Sequence, residues 1–121
     1  MPIKRVLVVD DSPTERHCLN EILTKAGYQV TFAFNGEEGV VKAKSDIPDL
    51  IVMDVVMPGL NGFQACRSIT QDPVTKNIPV ILCTTKNQET DKIWAMRQGA
   101  KAYVTKPVDG VDLLKKVTAL G

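Results

Sequence analysis

The sequence predicts an α/β fold: a five-stranded parallel sheet in the order 2-1-3-4-5, with helices on both faces. Two observations predict it. Five short apolar runs alternate with stretches of helical periodicity. The run Val6-Leu7-Val8-Val9 is continuous rather than alternating, as in a strand buried on both faces. A third observation points to use: acidic, hydroxyl and basic residues stand where these runs end.

Val6-Leu7-Val8-Val9 is the first strand and ends in Asp10-Asp11. Ser12 can then cap a helix, Pro13 fits its first position, and Glu15 stands where a capping box closes. Leu19, Ile22, Leu23 and Ala26 fall on one helical face, and Gly27 ends the helix. Tyr28 to Ala33 reads as the second strand. Asn35-Gly36-Glu37-Glu38 repeats the capping pattern, with Val40, Val41 and Ala43 carrying the helix on. The third strand, Leu50-Ile51-Val52-Met53, is introduced by Pro48-Asp49 and ends in Asp54. Met57-Pro58-Gly59-Leu60-Asn61-Gly62 is a loop by its Pro and Gly content, and a helix runs from Phe63 to Thr70. Ile78 to Cys83 is the fourth strand, Gln88 to Gln98 a helix stopped by Gly99, and Lys101 to Val104 the fifth strand. Pro107 breaks the chain, Asp109 caps, and Val111 to Leu120 forms the last helix.

A chain of 121 residues is one domain. No linker or repeat divides residues 1–121, and the sequence ends at Gly121 directly after the fifth helix, so no output domain is expected. Net charge of +1 gives no electrostatic case for nucleic acid. The apolar runs are too short to span a bilayer, and no signal peptide opens the chain; the expectation is a cytoplasmic protein without membrane insertion. Cys18, Cys66 and Cys83 are widely spaced and odd in number, which argues against disulfides and zinc. Each sits among apolar residues and reads as buried packing. His17, the only histidine, reads as a surface residue with no cysteine or carboxylate at ligand spacing.

Parallel sheets of this kind bind ligands outside the carboxyl ends of their strands, where strand order reverses. In the order 2-1-3-4-5 that crevice lies between the first and third strands, so Asp10, Asp11 and Asp54 converge there. Two like charges about 4 Å apart repel by roughly 4 kcal/mol at an effective dielectric near 20. Such a cluster must protonate or take a cation. Oxygen-only ligands beside open space suit Mg²⁺ (or Mn²⁺) that keeps several waters. Thr84, ending the fourth strand, adds a hydroxyl, and Lys106, after the fifth, adds a compact charge suited to phosphate. Taken singly, each of these residues has an ordinary structural reading. Together they fit phosphoryl transfer, in which catalysis is positioning and charge neutralisation.

At these residues the sequence resembles a response-regulator receiver domain, a flavodoxin-like fold and the aspartate-phosphorylated half of two-component signalling. The motifs are Val8-Val9-Asp10-Asp11-Ser12, Met53-Asp54-Val55-Val56-Met57-Pro58-Gly59, Thr84-Thr85 and Tyr103-Val104-Thr105-Lys106-Pro107. The resemblance implies that Asp54 is the phosphoacceptor, and that Asp11, Asp54 and the Val56 carbonyl bind the metal, with Asp10 reaching it mainly through water. It implies that Thr84 and Lys106 contact the phosphoryl group, and that the Lys106–Pro107 bond is cis. Thr85 departs from the small residue common after the switch threonine and could narrow the route to the phosphoryl group. Asp11-Ser12-Pro13-Thr14-Glu15, Gly59-Leu60-Asn61-Gly62-Phe63-Gln64-Ala65, Thr84-Thr85-Lys86 and Gln88-Glu89-Thr90-Asp91-Lys92 are similar to the stand-alone receivers of the chemotaxis-like system that controls type IV pilus twitching motility.

The expected function is a phosphorelay switch rather than an enzyme with a substrate of its own. It would take phosphate from a histidine kinase and signal by docking a downstream effector, such as one of the pilus motor system, or act as a phosphate sink for the same kinase. Thr84 and Tyr103 are the expected switch pair, and Lys92, Trp94, Met96 and Tyr103 the expected partner face. A flavin-binding carrier of the same topology needs a Ser, Thr and Gly-rich first loop, where this chain has Asp10-Asp11. An aspartyl phosphatase carries its nucleophile in an Asp-x-Asp pattern on the first strand, which Asp10-Asp11-Ser12 lacks.

Overall fold

The computed structural model describes residues 3–85 and 89–120. Five strands and five helices alternate: β1 (Arg5–Val9), α1 (Pro13–Lys25), β2 (Gln29–Ala33), α2 (Gly36–Asp46), β3 (Leu50–Asp54), α3 (Gly62–Gln71), β4 (Val80–Thr84), α4 (Glu89–Arg97), β5 (Ala102–Thr105) and α5 (Gly110–Leu120). All strand pairs are parallel and the order is β2-β1-β3-β4-β5. The expected fold holds, with boundaries moved by one or two residues. Asp54 and Thr84 are the last residues of their strands, as expected. The expected start of α4 at Gln88 lies outside the described residues.

Alternation along each strand sends side chains to opposite faces, and two separate cores result. Leu7, Val9, Ile51, Met53, Val80, Leu82 and Tyr103 meet Ala65, Cys66 and Ile69 of α3, Ala43 of α2 and Ala95 of α4. Val6, Val8, Leu50, Val52, Ile81, Cys83 and Val104 meet Leu19 and Leu23 of α1 and Leu113 and Val117 of α5. Both faces are buried and apolar, so the central strands have no polar side chains until they reach the edge of the core. Asp10 and Asp54 stand at that limit.

The helix starts follow local chemistry. Ser12 Oγ accepts from Glu15 N at 3.3 Å, Asn35 Oδ1 from Glu38 N at 2.8 Å, and Asp109 Oδ1 from Val111 N at 2.9 Å. The capping box expected at Ser12 is only half formed. Ser12 N donates instead to Asp10 Oδ1 at 2.9 Å, and the Glu15 carboxylate lies 3.9 Å from Lys106 Nζ. A full box forms at α3, where Asn61 and Gln64 exchange bonds at 2.9 and 3.1 Å. The Asn61-x-x-Gln64 spacing signals it, but Pro58 and Gly59 weigh toward a loop.

Three packing expectations are corrected. Cys18 is exposed, whereas Cys66 and Cys83 are buried; burial pushes both buried thiols up to about 12, so they are inert packing groups. Val41 is exposed, and α2 packs through Gly39, Val40 and Ala43 instead. Ala26 is exposed as the C-cap of α1. Gly39 is buried because its missing side chain admits Val9 Cγ1 and Cγ2 to 3.0 Å of where a Cβ would stand. His17 is on the surface as expected, but it has a carboxylate partner after all, Glu21 at 3.2 Å one turn on.

Gly62 opens α3 against the end of β3, and a Cβ there would stand 2.3 Å from Asp54 O and 2.7 Å from Val55 Cα. Both obstacles are backbone, which cannot yield as a flexible side chain does. Gly62→Ala is expected to destabilise the fold by about 1–3 kcal/mol, read from the midpoint of urea unfolding.

Candidate phosphoacceptor and metal site

The sheet register places the site. Val9 pairs with Met53, and Asp54 with Cys83, so the first residues beyond β1 and the last of β3 share one edge. Thr84 pairs with Thr105 on the adjoining strands, which sets Lys106 one residue beyond the same edge. Carboxylate oxygens of Asp10, Asp11 and Asp54 lie within 4.8 Å of one another. Asp10 is fully buried, Asp54 is 8% exposed, and Asp11 faces solvent.

Lys106 Nζ is 3.0 Å from Asp10 Oδ2 and 3.3 Å from Asp54 Oδ1, with its side chain 8% exposed. It is an internal counter-ion and not the solvated lysine that its sequence position alone would allow. Burial by itself would lower its pKa, but the hydrogen bond it donates to Asp10 and the charges of Asp54, Asp10 and Glu15 outweigh that and raise it. Lys106 is therefore a fixed cation at neutral pH. Burial pushes the Asp54 carboxyl up from its ordinary value, and the Asp10 charge pushes the same way. The Lys106 ammonium and the Val56 N–H only partly offset them. Ionising Asp54 therefore carries a cost, with a cation on one side and the open, Asp11 side facing water.

The remaining expected residues are placed as follows. Thr84 is fully buried at the end of β4, and Thr85 beside it is exposed. Lys106–Pro107 is cis, as the resemblance implied. Val56 is an exposed residue whose N–H bonds to the Asp54 carboxylate. Lys92, Trp94 and Met96 are exposed on α4. Tyr103, expected on the same face, is buried in the core beneath it. Trp94 meets Phe63 of α3 edge-on, with ring centroids 6.4 Å apart, so it turns toward α3. Arg16 and Glu37, which touch the loops of the site, were missed by sequence reasoning; nothing local distinguishes them from solvated charges.

A doubly wound parallel sheet whose carboxyl edge carries three clustered carboxylates, a buried lysine and a buried threonine defines the class of aspartate-centred signalling receivers. The response regulator receiver domain model matches residues 6–118, and the chain belongs to that family. It is 57% identical to Protein PilH of Pseudomonas aeruginosa over 116 residues, covering 96% of each chain. It is 40% identical to Chemotaxis protein CheY of Thermotoga maritima, covering 95% of this chain and 98% of that one. Among solved structures, the receiver domain of sensor histidine kinase PA1611 from Pseudomonas aeruginosa, with a magnesium ion in its active-site cleft, superposes with a TM-score of 0.89. It is 26% identical and covers 97% of this chain and 96% of that one. Response regulator and two-component signalling follow from this membership, and a chemotaxis protein is among the relatives.

The electrostatics predict opposite effects for the two buried acids. Because the folded-state pKa of Asp54 is raised, its ionisation costs native stability above that pKa, and the cost disappears as pH falls through it. Asp54→Asn should therefore raise the melting temperature of the metal-free protein by a few degrees at neutral pH, with the gain shrinking in acid. Asp10→Ala removes the acceptor of both Lys106 Nζ and Ser12 N, and should cost about 2–3 kcal/mol. Calorimetry across pH checks both signs.

Proposed function

We propose that this chain is a cytoplasmic single-domain response regulator of a two-component phosphorelay, which accepts a phosphoryl group on Asp54 from a histidine kinase. The observation that carries the reading is the setting of Asp54. It is nearly buried, 3.3 Å from the Lys106 ammonium, and joined with Asp10 and Asp11 in an oxygen-only cluster. The donor set fits a hard divalent cation. Asp11, Asp54 and the Val56 carbonyl would hold Mg²⁺ or Mn²⁺, with Asp10 acting mainly through water. When bound, the metal supplies neutralisation of charge on the phosphoryl oxygens.

The chain's own residues supply the rest. A carboxylate oxygen of Asp54 forms the new bond to phosphorus as the phosphorus–nitrogen bond of the phosphohistidine donor breaks, and the departing imidazole nitrogen keeps the electron pair. Lys106, already oriented by Asp10, would follow the incoming oxygens, and Thr84 would donate its hydroxyl to one of them. Hydrolysis by water later restores the carboxylate and releases phosphate. The acyl phosphate carries about two negative charges where the free carboxylate carried one, together with three strong acceptor oxygens. A swing of Thr84 toward them would free space beside β4 for Tyr103, one strand away. The α4 surface with Lys92, Trp94 and Met96, over Tyr103, would then be the readout for a partner protein. Partner docking shifts with phosphorylation only as far as the two states differ in affinity.

The 57% identity to PilH over nearly its full length supports a place in twitching motility, with a downstream effector of the pilus motor system. The 40% identity to a chemotaxis CheY favours, as a second reading, a receiver in another chemosensory pathway. Among the described residues no helix is long and apolar enough to cross a membrane.

Acetyl phosphate with Mg²⁺ should add one phosphoryl mass to the intact protein, and Asp54→Asn should abolish the gain. Labelling of Asp54→Asn with the wild-type time course would remove Asp54 from its role. With Mg²⁺ and BeF₃⁻, amide shifts should change at Thr84, Tyr103 and through α4; changes confined to the loop after Asp54 would remove the α4 face from the switch.

A further inference from the structure

The loops that supply the site run beyond the sheet's own ladders. The β1–β3 register ends at Val9 and Met53, and Asp10 N reaches Ala33 O, the end of β2, at 3.1 Å. Past that point, support comes from Arg16 of α1, stacked on Phe34, and from the first turn of α2.

On one side, the Arg16 guanidinium lies 4.4 Å from the centroid of the Phe34 ring. Its Nη1 donates to the Asp10 carbonyl at 2.8 Å. That carbonyl belongs to the peptide joining Asp10 to Asp11, so fixing it fixes the direction in which both acids leave the strand. On the other side, Glu37 Oε1, in the first turn of α2, accepts from Leu60 N at 3.0 Å. Gly36 beside it lets the chain approach so closely that a Cβ there would stand 2.2 Å from Leu60 O. Leu60 lies in the loop that begins at Asp54, contains Val56 and closes through Gly62 N to Val55 O at 2.8 Å.

We propose that Arg16 of α1, stacked on Phe34, and Glu37 in the first turn of α2 are positioning residues for the metal and phosphoryl site. Arg16 sets the Asp10–Asp11 backbone, and Glu37 sets the loop that bears Val56. The inference rests on the reading of the three acids as a divalent-cation site. Neither residue need touch the reacting atoms.

Charge gives each role a different sign. Arg16 is a cation beside a cation site, so as a mere charge its removal would tighten Mg²⁺ binding. As a positioning group its removal weakens it. Glu37 as a mere charge would be lost equally in Gln and Ala variants. As a hydrogen-bond acceptor it is replaced by the Gln carbonyl and not by Ala.

The test titrates Mg²⁺ into the full chain and follows backbone amides of the site. Arg16→Ala should weaken Mg²⁺ roughly three- to ten-fold, less than the usual loss for a partner bonded to a ligand side chain itself. Arg16→Lys should recover part of it, because an ammonium still donates to the Asp10 carbonyl. Glu37→Ala should weaken Mg²⁺ roughly two- to three-fold, and Glu37→Gln should stay close to wild type. Without metal, the Asp11 and Ser12 amides should shift in Arg16→Ala, and those of Val56 and Leu60 in Glu37→Ala. Should Arg16→Ala fold poorly, Phe34→Leu removes the ring beneath the guanidinium and should act in the same direction. Mg²⁺ binding in Arg16→Ala or Phe34→Leu as tight as wild type or tighter overturns the proposal, and so does equal loss in Glu37→Gln and Glu37→Ala. A wild-type protein that fails to bind Mg²⁺ overturns the metal-site reading and this proposal with it. Wild-type binding with unaltered variants overturns the positioning roles alone.

Discussion

Three carboxylates meet at the carboxyl edge of the sheet with ligand atoms within 4.8 Å of one another, and one ammonium, Lys106, stands against two of them. Much else in the site is arranged around that imbalance. Asp10 tolerates complete burial because Lys106 and Ser12 N both donate to it. Asp54 receives only partial compensation, and its carboxyl is pushed up accordingly. The uncompensated charge is directed toward Asp11 and solvent, which is the direction from which a cation can enter. A receiver needs that asymmetry. A fully paired cluster would be stable and would have no affinity left for metal, whereas an unpaired one would protonate.

The sheet makes this arrangement affordable by being buried on both faces. Side chains of β1, β3 and β4 pack into two apolar cores, one toward α2, α3 and α4, the other toward α1 and α5. Polar chemistry is excluded from the strands and collects where they end. The fixed parallel register then brings residues from β1, β3, β4 and the segment after β5 to one edge without any of them being near in sequence. Rigid strands give the acids their positions, and the loops behind them need separate support. Arg16 of α1, over Phe34, reaches one of them, and Glu37 at the start of α2 reaches the other.

The face over α4 has a different character. Ile93, Trp94 and Met96 are each about half exposed, while Tyr103 lies buried below them. An exposed apolar helix thus stands above a buried aromatic, one strand from a buried threonine at the carboxyl edge of the sheet. Trp94 leans on Phe63 of α3, so this surface extends toward α3 as well as toward β5.

The amino-acid sequence by itself determined the strand count, the parallel topology, the acids and the lysine of the site, because continuous apolar runs specify two-sided burial and residues that end such runs must lie at one edge. It also determined most helix starts, through side chains that bond backbone groups two or three residues away. Only the tertiary structure decided which way side chains point once helices dock. Cys18 and Val41 carry apolar-looking neighbours yet face water, since the rotation of a helix against the sheet is fixed by the whole face and not by any one residue. Glu15 leaves its capping role because Lys106, which is 91 residues away in the chain (106 − 15), comes within reach of its carboxylate. Arg16 and Glu37 look in sequence like other solvated charges; their partners are the carbonyl of Asp10 and the amide of Leu60. Backbone groups leave no signature in the identity of a residue, and their meeting with a side chain is settled only when separate elements pack.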